Sequence, residues 1–458
     1  MQSESITQSV LFPELFDKPL VAAFDQVHTS TDGGAVLLKA ADQRLELTAS
    51  LAACLRDRRQ ASKVDHELIE LLRQRVYGLA CGYADGNDAA RLAHDPVHKL
   101  LLDRDPVRGE ALASQPTLSR FENAVGAKTL FRLGETLAQA VIERHGRRRQ
   151  GRAGRITIDL DPTDDPTHGA QQLSLFNGHY DTWCYLPLLG FVQFDDEAEQ
   201  YLVAALLRPG NATAHQGALG LLARLVACLR TAFPKAWLRV RLDGGFAKPE
   251  LLDWLDAQPH LDYVIGLAKN AVLKRRAQGL MRQARRRSRR SGRTEHLYGE
   301  CRYAAKTWAR SRRVILKAEV VRHGDRAPKD NPRFLVTNLA GSPRQVYESV
   351  YCQRGEIENR IKELHELEID RTSCPRFWAN QFRLLLTAAA YVLLQELRLR
   401  AARTGCARAQ VATLRLRLLK LAATVQASVR RLVFHLPASF AHFQDWRRVA
   451  LALGARTG

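Results

Sequence analysis

The spacing of apolar residues changes along the chain and predicts where helices give way to strands. From the start to about residue 140, apolar positions recur every three or four residues, as at 68–79, which predicts helices. Between residues 156 and 161 apolar and polar residues alternate with a period of two, which predicts a strand. Six arginines at 144–155 separate the two patterns, and we interpret this basic run as a linker.

Strands and helices then alternate, which is the arrangement of an α/β layer. The predicted elements are an apolar stretch at 184–194, a helix at 216–231, a strand at 238–242, a helix at 249–257 and strands at 314–321 and 334–339. Further helices are predicted at 344–399 and 411–432, followed by a short strand at 432–436 and a last helix near Trp446. The expected fold class is α/β, with helical regions before and after a central sheet.

The net charge restricts the partners of the chain. The 69 Lys and Arg residues exceed the 48 Asp and Glu residues by 21, and a charge of +21 favours a polyanion such as nucleic acid. Residues 269–317 contain 17 basic and two acidic residues, so this basic segment alone supplies 17 minus 2, or +15. The longest apolar run, 384–394, is shorter than the ~20 residues of a membrane-spanning helix. Because the first residues also lack an export signal, we expect a cytoplasmic protein that binds DNA and no membrane.

Two predicted strands end in aspartates. Asp161 ends the alternating segment, and Asp243 follows the strand at 238–242. Ligands bind at the carboxyl ends of strands in α/β folds, so both side chains are candidates for one site. Asp159 lies on the same strand face as Asp161, about 7 Å away, and alternation does not choose between them. For each position the alternative is an aspartate that only begins a turn or caps a helix.

A third carboxylate is expected on the helix at 351–366. At 100° per residue, one polar stripe lies beside an apolar stripe of Ile357, Ile361 and Leu364. The polar stripe contains Tyr351, Arg354, Glu358, Lys362 and His365. Glu358 therefore adjoins the buried face, whereas Glu356 falls with Arg360 and Glu363 on a face that we expect to be solvated. The alternative is an ordinary amphipathic helix with salt pairs between neighbouring turns.

The three acidic positions fit one chemistry. Cleavage of a phosphodiester with two Mg²⁺ ions about 4 Å apart requires several hard anionic oxygens, including a carboxylate that bridges the ions. Asp161, Asp243 and Glu358 are therefore the expected ligands of two Mg²⁺ ions, which Mn²⁺ can replace. A cation on the same helix face, such as Arg354 or Lys362, can hold a phosphate beside the metal ions.

The helix resembles a known signature. It is similar to the Tyr-(2)-Arg-(3)-Glu-(6)-Lys pattern of bacterial insertion-sequence transposases with an RNase H-like catalytic core, and it matches at Tyr351, Arg354 and Glu358. His365 stands where the pattern has Lys, which makes Lys362 the alternative for the phosphate contact.

Other segments extend the resemblance over nearly all of the chain. Asp161-Pro-Thr163 and LDGGF at 242–246 resemble the first and second Asp blocks of these transposases. Further blocks resemble the insertion-sequence 1380 family: STDGGAVLL near the start, GYADGNDAARLAHDP at 82–96, QPTLSRFEN at 115–123, THGAQ and NGHY at 167–180, and WANQFRLLLTAAAY at 378–391. Several blocks in one order are more specific than any single block.

The resemblance implies an RNase H-like core, in which helices flank a mixed sheet and a basic, partly β insertion precedes the catalytic glutamate. Asp243 and Glu358 are 115 residues apart, against 82 for Asp161 and Asp243, and the basic segment lies in the longer interval. The expected divisions are a helical N-terminal region at 1–150 for DNA binding or dimerisation, a catalytic domain at 151–400 with the insertion at about 266–345, and a mainly helical C-terminal region at 401–458.

The implied function is cut-and-paste DNA transposition, in which the enzyme binds the terminal inverted repeats of its own insertion sequence, then cleaves and transfers strands. The implied partners are the transposon ends, target DNA and a second copy of the chain, in a bacterial cytoplasm at the nucleoid. The alternatives are a DNA-binding regulator of transposase origin that has lost catalysis, and an RNase H-like nuclease. Catalysis is favoured because every acidic position is filled.

The insertion contains the densest group of expected DNA contacts. These are Arg285, Arg286, Arg287, Arg289 and Arg290. Each phosphate that such a residue neutralises steepens the logarithmic salt dependence of binding by about 0.9. The alternative for residues 285–293 is a disordered charged loop, which could still bind DNA.

Overall fold

The fold is taken from a computed structural model that describes residues 10–324 and 326–457. The helices are α1 (Val36–Leu45), α2 (Leu47–Ala53), α3 (Leu68–Cys81), α4 (Gly86–Arg91), α5 (Pro96–Leu101), α6 (Gln115–Asn123), α7 (Ala127–Arg149), α8 (Ala218–Ala232), α9 (Pro249–Asp256), α10 (Ala271–Ser291), α11 (Pro343–Gln345), α12 (Glu356–Glu366), α13 (Phe377–Arg400), α14 (Val411–Leu414) and α15 (Phe443–Ala452). The strands are β1 (Val10–Phe12), β2 (Leu20–Ala22), β3 (Thr29–Ser30), β4 (Arg155–Pro162), β5 (Asp165–Pro166), β6 (Leu175–Asn177), β7 (Thr182–Tyr185), β8 (Leu188–Phe194), β9 (Tyr201–Leu206), β10 (Trp237–Leu242), β11 (Leu261–Leu267), β12 (Glu295–Tyr303), β13 (Arg312–Val321), β14 (Lys329–Asp330), β15 (Arg333–Thr337), β16 (Ala423–Ala427) and β17 (Leu432–His435).

A mixed sheet of nine strands forms the centre of the described chain. Its order is β12-β13-β15-β11-β10-β4-β8-β9, and β14 adds to β13. Strand β10 runs parallel to both β4 and β11, whereas β8 is antiparallel to β4 and to β9. Helices pack against this sheet, as α7 and α13 do on β9. The expected α/β class, a large mixed sheet flanked by helices, is confirmed and is consistent with an RNase H-like core.

The basic segment folds as helix α10 and strand β12 and continues into β13, and both strands extend the central sheet. Every third or fourth residue of α10 is apolar or small and buried, and Met281 and Ala284 pack on Ala318 and Val320 of β13. Strands β13 and β15 then join the sheet beside β11. The alternative of a disordered loop at 285–293 is wrong up to Ser291, because these residues continue α10.

Helix α13 is the core element against which the N-terminal helices pack. Among the described residues it is the one helix long and apolar enough to cross a membrane, and 89% of its most apolar window is buried inside the protein. Arg144 of α7 pairs with Glu396 of α13 at 2.9 Å, and Arg383 of α13 pairs with Glu122 of α6 at 2.8 Å. The expected linker is therefore wrong for residues 144–149, which are the last turns of α7.

Segments near the two ends of the described chain are joined in a small sheet. Strand β16 pairs with β17 on one side and with β3 on the other. The predicted helix at 411–432 is wrong beyond residue 419, because β16 follows a short π-helical turn at Arg415–Leu419. The short strand predicted at 432–436 is confirmed as β17. Strands β1, β2 and β3 also precede the helices in the part of the chain expected to be helical.

Candidate active site

The parallel pairing of β4 and β10 places two acidic residues at the same sheet edge. Arg241 in β10 is level with Asp159 in β4, so Asp243 is two positions further along, level with Asp161. Neighbouring strands lie about 4.8 Å apart. Asp161 lies in β4 directly before its carboxyl end at Pro162, and Asp243 directly follows β10. Asp161 is almost completely buried and Asp243 is half-buried. The sheet register therefore brings these two carboxylates together.

Helix α12 adds a third carboxylate, Glu358, whose charge acts on Asp161. Burial raises the pKa of the Asp161 carboxyl to about 6, and the negative charges of Asp243 and Glu358 act in the same direction. The Arg354 guanidinium opposes this rise. Glu358 is solvent-exposed in the first turn of α12, yet its charge acts on Asp161. Carboxylates from three separated segments thus share one electrostatic environment.

Asp159 has a different environment from Asp161. Both of its oxygens accept hydrogen bonds from Arg241, at 2.8 Å from Nε and 2.6 Å from Nη2, and Gln200 donates a third at 2.8 Å. The Asp159 and Arg241 side chains are both buried. Arg241 also donates to the carbonyl oxygen of Val350, at 3.3 Å, just before the candidate helix. Asp159 is therefore engaged in a buried ion pair, with its oxygens directed to protein donors.

Asp243 combines a local structural contact with its place at the site. Its Oδ1 accepts a hydrogen bond from the backbone N–H of Gly245 at 2.8 Å. Asp243 therefore does begin a turn, as the alternative interpretation of a strand-end aspartate predicted. The facing backbone is close, because a Cβ added to Gly266 would lie 2.7 Å from the Gly244 nitrogen and 2.9 Å from the Tyr351 hydroxyl. Glycine at 266 therefore allows β11 to approach the Asp243 turn and Tyr351.

Arg354 and Tyr351 lie beside the acidic cluster. Arg354 Nη1 is 3.0 Å from Asp161 Oδ2, in a partly buried ion pair. Tyr351 is half-buried, and burial raises the pKa of its hydroxyl. A cavity of about 280 Å³ adjoins this residue and is lined also by Gly244, Lys269 and Arg333. The helix signature thus places a cation and an aromatic ring next to the carboxylates.

His365 and Lys362 occupy different environments on α12. His365 contacts the Thr163 hydroxyl through Nε2 at 3.2 Å and Asp370 through Nδ1 at 3.1 Å. The hydrogen bond to Asp370 raises the pKa of His365, which favours its cationic form. Lys362 is exposed. Thr163 belongs to the Asp-x-Thr segment, so His365 links that segment to α12; the sequence offered no signal for Asp370 as its partner.

The expectation of a solvated face around Glu356 is only partly correct. Glu356 is exposed and contacts Asn359 at 3.3 Å. Glu363, placed on the same face, is instead buried, where Arg398 donates to it at 2.6 Å and Tyr391 at 2.5 Å. The position of Glu363 on the helical wheel gives no indication that its counterion is buried on another helix. Glu363 therefore fixes α12 onto α13.

The five arginines of the expected DNA-binding group lie on the outer face of α10. Arg286, Arg287, Arg289 and Arg290 are exposed, whereas the exposed Arg285 is paired with Asp330 of β14. The helix has 21 residues, which corresponds to a length of roughly 30 Å. Other exposed cations of α10 are Lys274, Arg275, Arg276 and Arg282. Together with the five arginines they form a cationic face along most of this length, which is enough to follow several phosphates of a DNA backbone.

Comparisons with known proteins identify the family of the chain. No curated protein sequence matches the chain. The family described as "Transposase DDE domain group 1" matches residues 12–455, nearly the whole length. Because of this match, the protein belongs to the DDE transposases, enzymes that catalyse phosphoryl transfer in DNA transposition.

Proposed function

We propose that this DDE transposase binds the terminal inverted repeats of its own insertion sequence, cuts the element out and joins it to target DNA. The observation that supports the proposal is that Asp161 in β4 and Asp243 after β10 lie level in the sheet register, while the charge of Glu358 at the start of α12 acts on the Asp161 carboxyl. The order of sequence blocks further supports membership of the insertion-sequence 1380 group.

The donor set fits divalent metal, which DDE transposases typically use. Burial and the negative charges of Asp243 and Glu358 raise the pKa of Asp161, and a cation of high charge density would relieve this repulsion. All of the donor atoms are carboxylate oxygens, which suit Mg²⁺, with Mn²⁺ as a substitute. Two ions held there would supply the activation of an attacking water or 3′-hydroxyl and the stabilisation of the leaving oxygen. Asp161, Asp243 and Glu358 are the proposed ligands.

The surrounding side chains position the DNA strand. Arg354 opposes the rise in the pKa of Asp161 and offers further N–H donors to a phosphate oxygen. Tyr351 lies against the Asp243 turn, where its hydroxyl can contact the same DNA strand. Exposed Lys362 and the partly buried His365 lie further along α12. These residues hold the scissile phosphate against the carboxylates.

The outer face of α10 supplies the proposed contacts away from the chemistry. Its arginines neutralise backbone phosphates and carry no sequence information, so terminal-repeat recognition requires other residues. Joining two ends requires two active sites, and we propose a homodimer in the active complex. The proposed setting is the nucleoid in a bacterial cytoplasm.

The test is strand cleavage and strand transfer by Asp243→Asn on DNA that carries the inverted repeats flanking the gene. We expect both reactions to be lost while end binding stays within about twofold, because the substitution removes one ligand charge and no proposed phosphate contact. Wild-type cleavage without transfer would identify a nuclease, and binding without Mg²⁺-dependent cleavage would identify a regulator. Retained cleavage by Asp243→Asn would remove this residue from the site.

A further inference from the structure

Every residue of the N-terminal segment 11–29 is exposed to solvent, although the segment is rich in large apolar side chains. We call residues 10–27 the apolar arm; β1 and β2 within it pair as a hairpin. Its large apolar residues are 42 to 80% exposed: Leu11, Phe12, Leu15, Phe16, Leu20, Val21, Phe24 and Val27. Monomeric proteins rarely expose more than a few hundred Å² of contiguous apolar surface, so a patch of this kind marks an interaction site.

A second apolar surface is open elsewhere on the same chain. A groove of about 490 Å³ lies between α7 and α8, with β9 and α13 also contributing to its wall. Phe131 and Trp378 line it and are 55% and 41% exposed. At its rim Arg224 and Glu135 pair with each other at 2.8 Å, which leaves the rim without net charge. The groove therefore suits an apolar protein segment rather than a phosphate backbone.

The charge of the arm distinguishes its partner from DNA. The arm contains Glu14, Asp17 and Asp25 against Lys18, a net charge of 1 minus 3, or −2, in a chain of +21. The rest of the chain therefore carries +21 minus −2, or +23. An acidic, apolar arm is repelled by DNA and attracted by the strongly basic remainder of this protein.

We propose that the arm of one copy docks in the groove of a second copy, and that the exchange is reciprocal in a two-fold dimer. Within residues 10–324 and 326–457, both the apolar side chains of the arm and the apolar wall of the groove are left exposed. If each of the eight exposed side chains buries on the order of 100 Å² of accessible surface, the total approaches the ~800 Å² that each partner buries in a standard interface. The inference rests on the proposed function only in that a transposase needs two copies to join two ends.

Cross-linking tests the exchange directly, because Cys228 lines the groove and supplies a native thiol. The full-length Phe16→Cys variant is treated with a short bismaleimide in the absence of DNA. We expect a covalent product of two chains that disappears when Cys228→Ser is added. A cross-link between Cys228 and the new thiol within one chain would show that the arm covers its own groove, and no Cys228-dependent product would place the arm elsewhere; either result overturns the exchange.

Light scattering measures what the arm contributes. We expect a mass of two chains for the wild type and a rise of at least about a hundredfold in the dimer dissociation constant for Phe12→Ser/Phe16→Ser/Phe24→Ser, because burial of each ring contributes to association. The matched control is Leu416→Ser/Val429→Ser, which changes exposed apolar residues outside both surfaces. An unchanged dimer in the arm variant, or a monomeric wild type, refutes the proposal. Because no DNA is present, a dimer that fails to cleave would refute the proposed function and not the arm exchange.

Discussion

Asp159 and Asp161 are two residues apart on one strand face, and their substitution should have opposite consequences. Asp159→Ala removes the partner of a buried guanidinium, since the Asp159 and Arg241 side chains are exposed by only 1% and 2%. Breaking a buried ion pair by removing one member costs about 3–5 kcal/mol, because the other charge is left without compensation. We therefore expect Asp159→Ala to lower the free energy of unfolding by that amount.

The matching shift in melting temperature follows from the size of the chain. Unfolding entropy near 60 °C is about 2.1 cal/mol/K per residue, so a chain of 458 residues that unfolds as one unit loses about 1 °C for each kcal/mol. The expected shift for Asp159→Ala is roughly 3–5 °C. Asp161→Asn should change the melting temperature by less than about 1 °C, because neutralising Asp161 relieves repulsion from Asp243 and Glu358 while it weakens the pair with Arg354.

Differential scanning calorimetry and a cleavage assay on the same preparations separate the two roles. Asp161→Asn should be stable and unable to cleave. Asp159→Ala should be destabilised, and residual cleavage is expected below its melting temperature, reduced because Arg241 also contacts the Val350 carbonyl. A fully stable Asp159→Ala that cannot cleave, beside an Asp161→Asn that cleaves normally, would reverse the assignment.

Three further outcomes are expected. Mn²⁺ affinity measured by calorimetry should be nearly constant above pH 6 and fall about tenfold per unit below it, because the raised pKa of Asp161 lets protons compete; a flat profile through pH 5 contradicts this. Arg286→Gln/Arg287→Gln/Arg289→Gln/Arg290→Gln should flatten the logarithmic salt dependence of DNA binding by up to about 3.6 with an unchanged melting temperature, and an unchanged slope would show that these residues do not contact phosphates. Burial raises the pKa of Asp165 to about 8, so the folded state keeps a proton that the unfolded state loses near pH 4, and stability should fall as pH rises from 4 to 8. Asp165→Asn can still accept the hydrogen bond from Thr372 and should show a smaller fall in melting temperature between pH 5 and pH 8; equal falls would refute a neutral Asp165.

The local periodicity of the sequence was sufficient for much of the sheet and for the helices around it. The strands ending near Asp161 and Asp243 lie where alternation predicted them, because each strand carries its own apolar pattern. The choice between Asp159 and Asp161 was not available from alternation, because both residues occupy one face. It depends on Arg241, which lies 82 residues away and becomes a neighbour only through the pairing of β10 with β4.

Ion pairs and strand pairings between distant elements account for the other differences. Arg144 and Arg149 appear in the sequence as part of an exposed basic run, yet they pair with Glu396 and Asp195. Glu363 has the pattern of a solvated position and is buried against Arg398. Each of these counterions lies on a different element, so helical spacing alone could not identify it. The predicted helix at 411–432 failed similarly, because β16 depends on pairing with β3 near the other end of the chain.

The central place of α13 has a consequence for synthesis of the protein on the ribosome. Helices α1, α3 and α6 emerge early, but they pack against α13, which ends at residue 400. At roughly 5–20 residues per second, about 15–60 seconds pass between completion of α3 and completion of α13. During that interval the early helices lack their packing partner. A gene copy truncated before α13 should therefore yield a fragment for degradation, and not a folded N-terminal competitor for the transposon ends.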